Sequence, residues 1–290
     1  MDFYELTMSL PQPQVEAMDA MLTQLGAVGI TYSDAEDAPI YEPLPGEMPL
    51  WEDIKVIALY DDLKLYEQSK QWLQVQFPQL EVLATKLKDQ VWERVWMDHF
   101  KPMRFGQNSW VVPDGFDVVD ESAVNLILDP GLAFGTGTHP TTALCLEWLD
   151  LHDVKDKRLV DFGCGSGVLA IMALLHGAKE VICVDIDDQA IEATLQNATK
   201  NGVADGIKVV QPDQVASIKN QHGVLANILA APLMQLSTVF SEMLEDKGFI
   251  VLSGILAEQQ KQVMDKYESC FVDIEGKIEQ DWCRVSARKR

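Results

Sequence analysis

The residues best suited to chemistry lie in a glycine-rich segment near the middle of the chain. Residues 160–167 read Val-Asp-Phe-Gly-Cys-Gly-Ser-Gly, where an apolar strand pattern gives way to a helical one. Glycines there let a ligand approach the backbone closely, and the start of a helix adds unpaired N–H groups. Asp185 lies 22 residues after Gly163 and ends the next apolar strand. A carboxylate at that place can accept hydrogen bonds from ribose hydroxyls, so the pattern predicts a site for a nucleoside cofactor.

The glycine spacing distinguishes between two classes of nucleoside cofactor. A dinucleotide fingerprint has glycines at its first, third and sixth positions, whereas here Val168 is sixth and Gly167 is the third glycine. Asp161 also adds negative charge where a pyrophosphate would bind. S-adenosylmethionine has a positive sulfonium and no phosphate, so an acidic loop suits it. The segment resembles motif I of the class I S-adenosylmethionine methyltransferases, which favours that cofactor over a nicotinamide.

Two further segments narrow the resemblance. Residues 129–142 read Asp-Pro-Gly-Leu-Ala-Phe-Gly-Thr-Gly-Thr-His-Pro-Thr-Thr, and residues 226–230 read Ala-Asn-Ile-Leu-Ala at the end of the fourth strand. Together with the glycine-rich segment they resemble the ribosomal protein L11 methyltransferase (PrmA) family, from about Phe100 to the C-terminus. The resemblance implies a methyl acceptor as well as a cofactor. The acceptors would be lysine side chains and the N-terminal α-amine of a large-subunit ribosomal protein.

The resemblance also implies roles for individual residues. Cofactor binding falls to Thr142, Gly163, Gly165, Asp185 and Asn227, and the catalytic role to Asn227; no metal ion is expected. Gly163 would lie against the methionyl part of the cofactor and Asp185 against its ribose. Thr142 opens a helix, where its hydroxyl is expected both to cap that helix and to contact the ligand, with capping alone as the alternative.

Asn227 is expected to orient the amine that receives the methyl group. Its side-chain oxygen could accept a hydrogen bond from the amine and align the nitrogen lone pair with the sulfonium methyl. Many amine methyltransferases have Asn-Pro-Pro-Tyr here, but Ile-Leu-Ala follows the Asn in this chain. The missing aromatic ring disfavours nucleobases and favours flexible aliphatic amines such as lysine. His139 is interpreted as a loop-packing residue, since a neutral amine needs no general base.

Strand and helix patterns alternate through the second part of the chain. This alternation predicts an α/β fold, with a doubly wound, mostly parallel sheet of the Rossmann-like class I methyltransferase type. The last two strand patterns, Phe271–Lys277 and Trp282–Ala287, have no helix between them and predict an antiparallel edge. A single helix is expected over Leu233–Leu244.

The first hundred residues predict a smaller α+β domain. Their order βαββαβ fits a ferredoxin-like sandwich, and helical spacing over Asp89–Phe100 predicts a linker helix. We therefore expect an N-terminal substrate-recognition domain at residues 1–100, ending in that helix. A methyltransferase domain that binds S-adenosylmethionine is expected at residues 101–290.

The charge of the chain favours a basic protein partner. The chain has 290 residues and a net charge of −22; residues 1–100 alone carry 18 acidic against 6 basic residues. Such a surface repels phosphate backbones, so no direct nucleic-acid binding is expected, whereas a basic ribosomal protein would be attracted. Solubility alone is the alternative explanation of the acidity. A cytoplasmic protein without membrane association is expected, because no signal peptide or membrane-spanning apolar run is visible.

Two other functions stay open at this point. One is methyl transfer from S-adenosylmethionine to a different amine substrate. The other is a non-catalytic binding module in ribosome assembly, although the joint presence of the glycines, Asp185 and Asn227 argues against it.

Overall fold

The computed structural model describes residues 3–35, 51–87, 101–129 and 139–290. The chain divides into two compact units, Met1–Trp96 and Met97–Arg290. The predicted linker helix over Asp89–Phe100 lies outside the described residues.

The N-terminal unit is an antiparallel sheet with two helices. Its elements are β1 (Phe3–Pro11), α1 (Gln12–Gln24), β2 (Gly29–Asp34), β3 (Asp53–Tyr60), α2 (Leu63–Gln76) and β4 (Leu83–Leu87). The strand order is β2-β3-β1-β4, with every neighbouring pair antiparallel. Alternate side chains of β1 and β3, such as Leu6 and Val56, are buried with Leu22 of α1 and Leu73 of α2. The ferredoxin-like prediction is therefore confirmed.

The second unit begins with a small sheet that the sequence patterns did not reveal. Its strands are β5 (Met103–Phe105), β6 (Ser109–Pro113) and β7 (Val124–Leu128); β5 and β6 are antiparallel, and β6 and β7 are parallel. Strands of three to five residues are too short to show a period of two. The β5–β6 turn is held by a distant residue, because the Asp150 carboxylate accepts from the N–H groups of Gln107 and Asn108 at 2.6 and 2.9 Å.

A seven-stranded sheet forms the centre of the second unit. Its strands in chain order are β8 (Arg158–Phe162), β9 (Glu180–Val184), β10 (Ile207–Val209), β11 (Gln221–Asn227), β12 (Leu244–Leu256), β13 (Phe271–Glu279) and β14 (Trp282–Lys289). In space the order is β10-β9-β8-β11-β12-β14-β13. The first five strands are parallel, and β14 runs antiparallel to both of its neighbours. The predicted mostly parallel sheet with an antiparallel edge is confirmed.

Helices cover both faces of this sheet. They are α3 (Pro140–Leu151), α4 (Val168–Leu175), α5 (Asp188–Lys200), α6 (Ala230–Gln235), α7 (Ser237–Met243) and α8 (Gln260–Tyr267). Side chains of α3, α4 and α5 pack on one face, and those of α6, α7 and α8 pack on the other. The single helix predicted over Leu233–Leu244 is wrong: Leu236 separates α6 from α7, and the backbone N–H of Leu236 donates to Pro232.

The order in which the chain adds strands to the sheet reverses at β8. From β8 it moves outward to β9 and β10, and then returns to the other side of β8 as β11. Such a reversal leaves a crevice at the carboxyl ends of the strands, where ligands bind in open α/β sheets. The segments after β8, β9 and β11 are therefore the ones that position a functional site.

One glycine of β12 should be indispensable for this arrangement. Gly254 has φ +82°, and a Cβ there would lie 2.4 Å from the backbone oxygen of Ile228. Gly254→Ala should lower the free energy of unfolding by about 3 kcal/mol or more, because strain and a backbone clash combine. Gly202→Ala is the matched control, since Gly202 has φ +69° and open space around it, and it should cost only about 1 kcal/mol. Urea unfolding tests this, and equal losses would contradict it.

Candidate active site

The glycine-rich turn follows β8 and is bonded to the end of β9. The N–H groups of Gly163 and Cys164 both donate to the carbonyl of Val184, at 2.7 and 3.2 Å. Gly163 has φ +77°, and a Cβ there would lie 2.3 Å from Cγ2 of Ile228. A side chain is therefore excluded at Gly163 both by backbone conformation and by the residue that follows Asn227.

Asp185 is held against the same turn. Its Oδ2 accepts from the N–H of Gly165 at 3.0 Å, and its Oδ1 accepts from the N–H of Asp187 at 3.0 Å. These bonds fix the carboxylate while each oxygen keeps a second lone pair. The arrangement leaves Asp185 able to accept two hydroxyl hydrogen bonds, as a ribose would offer.

A cavity of about 400 Å³ lies at this end of the sheet. All five residues predicted for the site line it, although they come from the segments after β8 and β9, from the end of β11 and from α3. The full lining is Thr142, Asp161, Phe162, Gly163, Cys164, Gly165, Val168, Leu169, Val184, Asp185, Ile186, Pro212, Asn227, Ile228, Leu229, Pro232 and Leu236.

Asn227 is joined to Thr142 across the cavity wall. The Nδ2 of Asn227 donates to the Oγ1 of Thr142 at 3.1 Å, which links two residues 85 positions apart. This bond fixes the amide and leaves Oδ1 of Asn227 as its acceptor atom. Thr142 does not cap α3: the cap is His139, whose Nδ1 accepts from the N–H of Thr141.

His139 is placed as a packing residue. Its ring meets the edge of Trp282 with centroids 4.7 Å apart, and burial lowers its pKa. A neutral imidazole keeps the acceptor nitrogen that the helix cap needs. This agrees with the interpretation of His139 as a residue that holds the loop.

Asp161 is a site residue that the sequence indicated only as local negative charge. Its side chain is 1% exposed, its Oδ2 accepts from the N–H of Ala170 at 2.9 Å, and its Oδ1 has no hydrogen-bond partner among the described residues. Burial raises the pKa of Asp161 to about 7; the Ala170 N–H opposes this shift, and the nearby charge of Asp185 adds to it. A buried acid with an unpartnered oxygen beside a cavity is suited to receiving a cationic group.

Two apolar side chains at the cavity were also not predicted as site residues from the sequence. Ile186 is 94% exposed and Leu229 is 52% exposed, so both present unusual apolar area to solvent. Each follows closely after a polar residue at or just past the end of a strand: Ile186 follows Asp185, and Leu229 follows Asn227. That position is a usable signal, because an exposed aliphatic residue beside a strand-end polar group can cover the flat face of a bound ligand.

The cavity fits S-adenosylmethionine in its donor set and its charge. Asp185 suits the ribose, the unpartnered oxygen of Asp161 suits a cationic part, and the bare backbone of Gly163 lets the ligand approach closely. The part of the lining that the described residues form carries carboxylates and no Lys or Arg, which does not suit a pyrophosphate. Within the described ranges, no three His, Cys, Asp or Glu side chains are grouped to hold a metal ion. Residues 130–138 of the segment before α3 lie outside the described residues.

Comparisons with known proteins match almost the whole chain to one protein family. The model of the family described as "Ribosomal protein L11 methyltransferase (PrmA)" matches residues 2–290. A ribosomal protein L11 methyltransferase from Alteromonas mediterranea is 46% identical over 293 residues, covering 100% of both chains. One from Tolumonas auensis is 47% identical over 271 residues, covering 93% of each. The crystal structure of a ribosomal protein L11 methylase from Lactobacillus delbrueckii superposes with a TM-score of 0.60 at 30% identity, covering 66% of this chain and 100% of that one.

The buried acid gives a pH signature. The pKa of Asp161 is raised from 3.8 to about 7, so the stability of the wild type should fall as pH rises between those values. Asp161→Asn removes this ionisation, so the unfolding free energy of the variant minus that of the wild type should grow by up to about 4 kcal/mol between pH 4 and 7. Urea unfolding across that range measures it, with the exposed Asp117→Asn as a control for charge removal. A difference that stays constant with pH would contradict the assignment.

Proposed function

The chain belongs to the ribosomal protein L11 methyltransferase family, and we propose that it transfers methyl groups from S-adenosylmethionine to lysine side chains and the N-terminal α-amine of that ribosomal protein. The observation that carries this proposal is the Asn227–Thr142 hydrogen bond at the cavity that also holds Asp185. It provides a fixed amide oxygen for an amine beside a fixed carboxylate for a ribose.

The reaction requires little covalent chemistry from the protein. S-adenosylmethionine supplies an electrophilic methyl on sulfur, so the amine nitrogen forms the new N–C bond as the C–S bond breaks. Asn227 accepts a hydrogen bond from the amine through Oδ1 and directs the nitrogen lone pair at the methyl group. The apolar surface of Ile228 and Leu229 favours the neutral amine, because desolvation lowers the pKa of a lysine. The proton that remains on nitrogen passes to solvent.

Aliphatic amines suit this site better than planar ones. Ala230 stands at the position where many amine methyltransferases place an aromatic ring against a base, and Leu229, which lines the cavity beside it, is a flexible aliphatic side chain. This supports an acceptor such as lysine over another amine of the nucleobase type. The fixed amide of Asn227 also supports a catalytic role over a purely structural one, because a non-catalytic binding module has no need of it.

The two predicted domains have different proposed tasks. Residues 1–100 recognise the acceptor protein, and residues 101–290 bind S-adenosylmethionine and perform the transfer. The acceptor is expected to be a basic protein in the cytoplasm. The chain itself is not expected to bind nucleic acid directly. None of the helices in the described part of the chain combines the length and apolar character needed to cross a bilayer.

Transfer of a labelled methyl group tests the proposed function. The purified protein, labelled S-adenosylmethionine and the ribosomal protein should give label on lysines and on the N-terminal amine, located by mass spectrometry. The same acceptor with its amines acetylated beforehand is the control and should take up no label. An unlabelled native acceptor, under conditions where the cofactor is bound, would reject the substrate assignment.

Two variants should separate orientation from cofactor binding. Asn227→Ala should lower kcat by about 100-fold, because the amine loses its alignment, while binding of S-adenosylhomocysteine changes less than tenfold. Asp185→Ala should instead weaken that binding by about 100-fold, because two hydrogen bonds to a charged group are lost. Steady-state kinetics and calorimetry make both measurements. Equal effects of the two variants on binding would contradict the division of roles.

The acidity of the N-terminal unit predicts salt-sensitive docking. Raising NaCl from about 50 to 500 mM should weaken association with the ribosomal protein at least tenfold, because screening removes the attraction between opposite charges. The affinity for S-adenosylmethionine should change less than twofold. Two sets of three exposed glutamates can be replaced by Gln: Glu16, Glu67 and Glu81 in the N-terminal unit, and Glu121, Glu258 and Glu268 in the second unit. Replacing the first set should weaken docking more than replacing the second. Salt-insensitive association, or equal effects of the two sets, would contradict electrostatic docking.

A further inference from the structure

One face of α5 carries three polar side chains that bond to backbone outside the helix. Thr194 donates to the carbonyl of Gly165 at 3.0 Å, and Asn197 donates to the carbonyl of Ser166 at 2.9 Å. Asn201, just after the helix, donates to the carbonyl of Ile127 at 2.7 Å and accepts from its N–H at 2.8 Å. Their spacing of three and four residues places them on one side of the helix. This side of α5 therefore holds both the glycine-rich turn and the end of β7.

Asn197 is the residue that joins these two attachments. Besides its bond to Ser166, its Oδ1 accepts from the N–H of Asp129 at 3.2 Å, and the side chain is only 3% exposed. Ser166 belongs to the turn that carries Gly163 and Gly165. Asp129 is the first residue of the segment that ends at Thr142. A single buried amide thus bonds both to the turn that lines the cavity and to the first residue of the segment that ends at Thr142, another lining residue.

We propose that Asn197 is a positioning residue for methyl transfer, which sets the spacing between the glycine-rich turn and the start of the Asp129–Thr142 segment. It lies behind the cavity wall rather than in the lining, so it acts through Ser166 and Asp129. Both ends of the primary amide are used, one donor and one acceptor, and no aliphatic side chain can replace both. The proposal rests on the proposed cofactor site.

Asn201 offers a matched control for this role. It is the same residue type, four positions further along, and its amide is also bonded to backbone, twice to Ile127 and once to the carbonyl of Asn197. Both of its β7 contacts go to Ile127, so it does not touch the glycine-rich turn. A purely structural role would make the two asparagines equivalent in their effect on the site.

The experiment compares Asn197→Ala with Asn201→Ala by calorimetry with S-adenosylhomocysteine and by steady-state kinetics with the ribosomal protein. Both variants should be less stable than the wild type. Only Asn197→Ala should weaken S-adenosylhomocysteine binding, by about tenfold or more, and raise the KM for S-adenosylmethionine while the KM for the acceptor stays within twofold. Asn197→Ala that binds within twofold of the wild type, or Asn201→Ala that loses as much affinity, would overturn the proposal.

A third variant keeps the test decisive if Asn197→Ala does not fold. Asn197→Asp retains an oxygen for the N–H of Asp129 but turns a second oxygen toward the carbonyl of Ser166. A protonated carboxyl can donate to that carbonyl, so the deficit in S-adenosylhomocysteine affinity relative to the wild type should shrink as pH falls from 8 to 5.5. A deficit independent of pH would count against the bond to Ser166. If the wild type itself fails to bind the ligand, the proposed cofactor site is wrong, which is a different outcome from binding that ignores Asn197.

Discussion

The site depends on the close packing of the glycine-rich turn against the ends of β9 and β11 at the carboxyl end of the sheet. The glycine-rich turn after β8 lies between the carbonyl of Val184 and the side chain of Ile228, and there is no room for a Cβ at Gly163. Because the turn is fixed there, its Gly165 N–H reaches Asp185 and its end starts α4. Ile228 in turn follows Asn227 directly. The Asp185 carboxylate, proposed to bind the ribose, and the Asn227 amide, proposed to orient the amine, are thus both positioned through contacts of this one turn.

The charges at the site favour a ligand with a positive centre. Asp161 is buried beside a second carboxylate, Asp185, and one of its oxygens has no partner among the described residues. A fold optimised only for stability would not keep such an acid, since burial of an uncompensated charge is costly. A ligand with a positive centre and no phosphate offsets this cost. The same feature explains why the cavity suits a sulfonium cofactor and does not suit a dinucleotide.

The sequence allowed the central features of the fold and site to be predicted because they depend on local patterns. The glycines of the turn, Asp185 after the next strand and the alternation of strands and helices can each be recognised from a short stretch of sequence and its spacing along the chain. The β5–β7 sheet could not be predicted in this way, because its strands are short and its first turn is held by Asp150 from another element. The division of one predicted helix at Leu236 and the unpartnered oxygen of Asp161 likewise depend on tertiary packing. The resemblance implied that Thr142 lies near a ligand, but only the structure joins it to Asn227.

The most direct test of the central claim is a crystal structure of the protein with S-adenosylhomocysteine bound. We predict that the ribose hydroxyls lie within hydrogen-bonding distance of the Asp185 carboxylate and that the amino-acid part lies along Gly163 on the side of Asp161. The sulfur should face the Asn227 amide across a gap wide enough for a methyl group and an amine nitrogen. A ligand bound elsewhere, or one whose sulfur faces away from Asn227, would contradict the account.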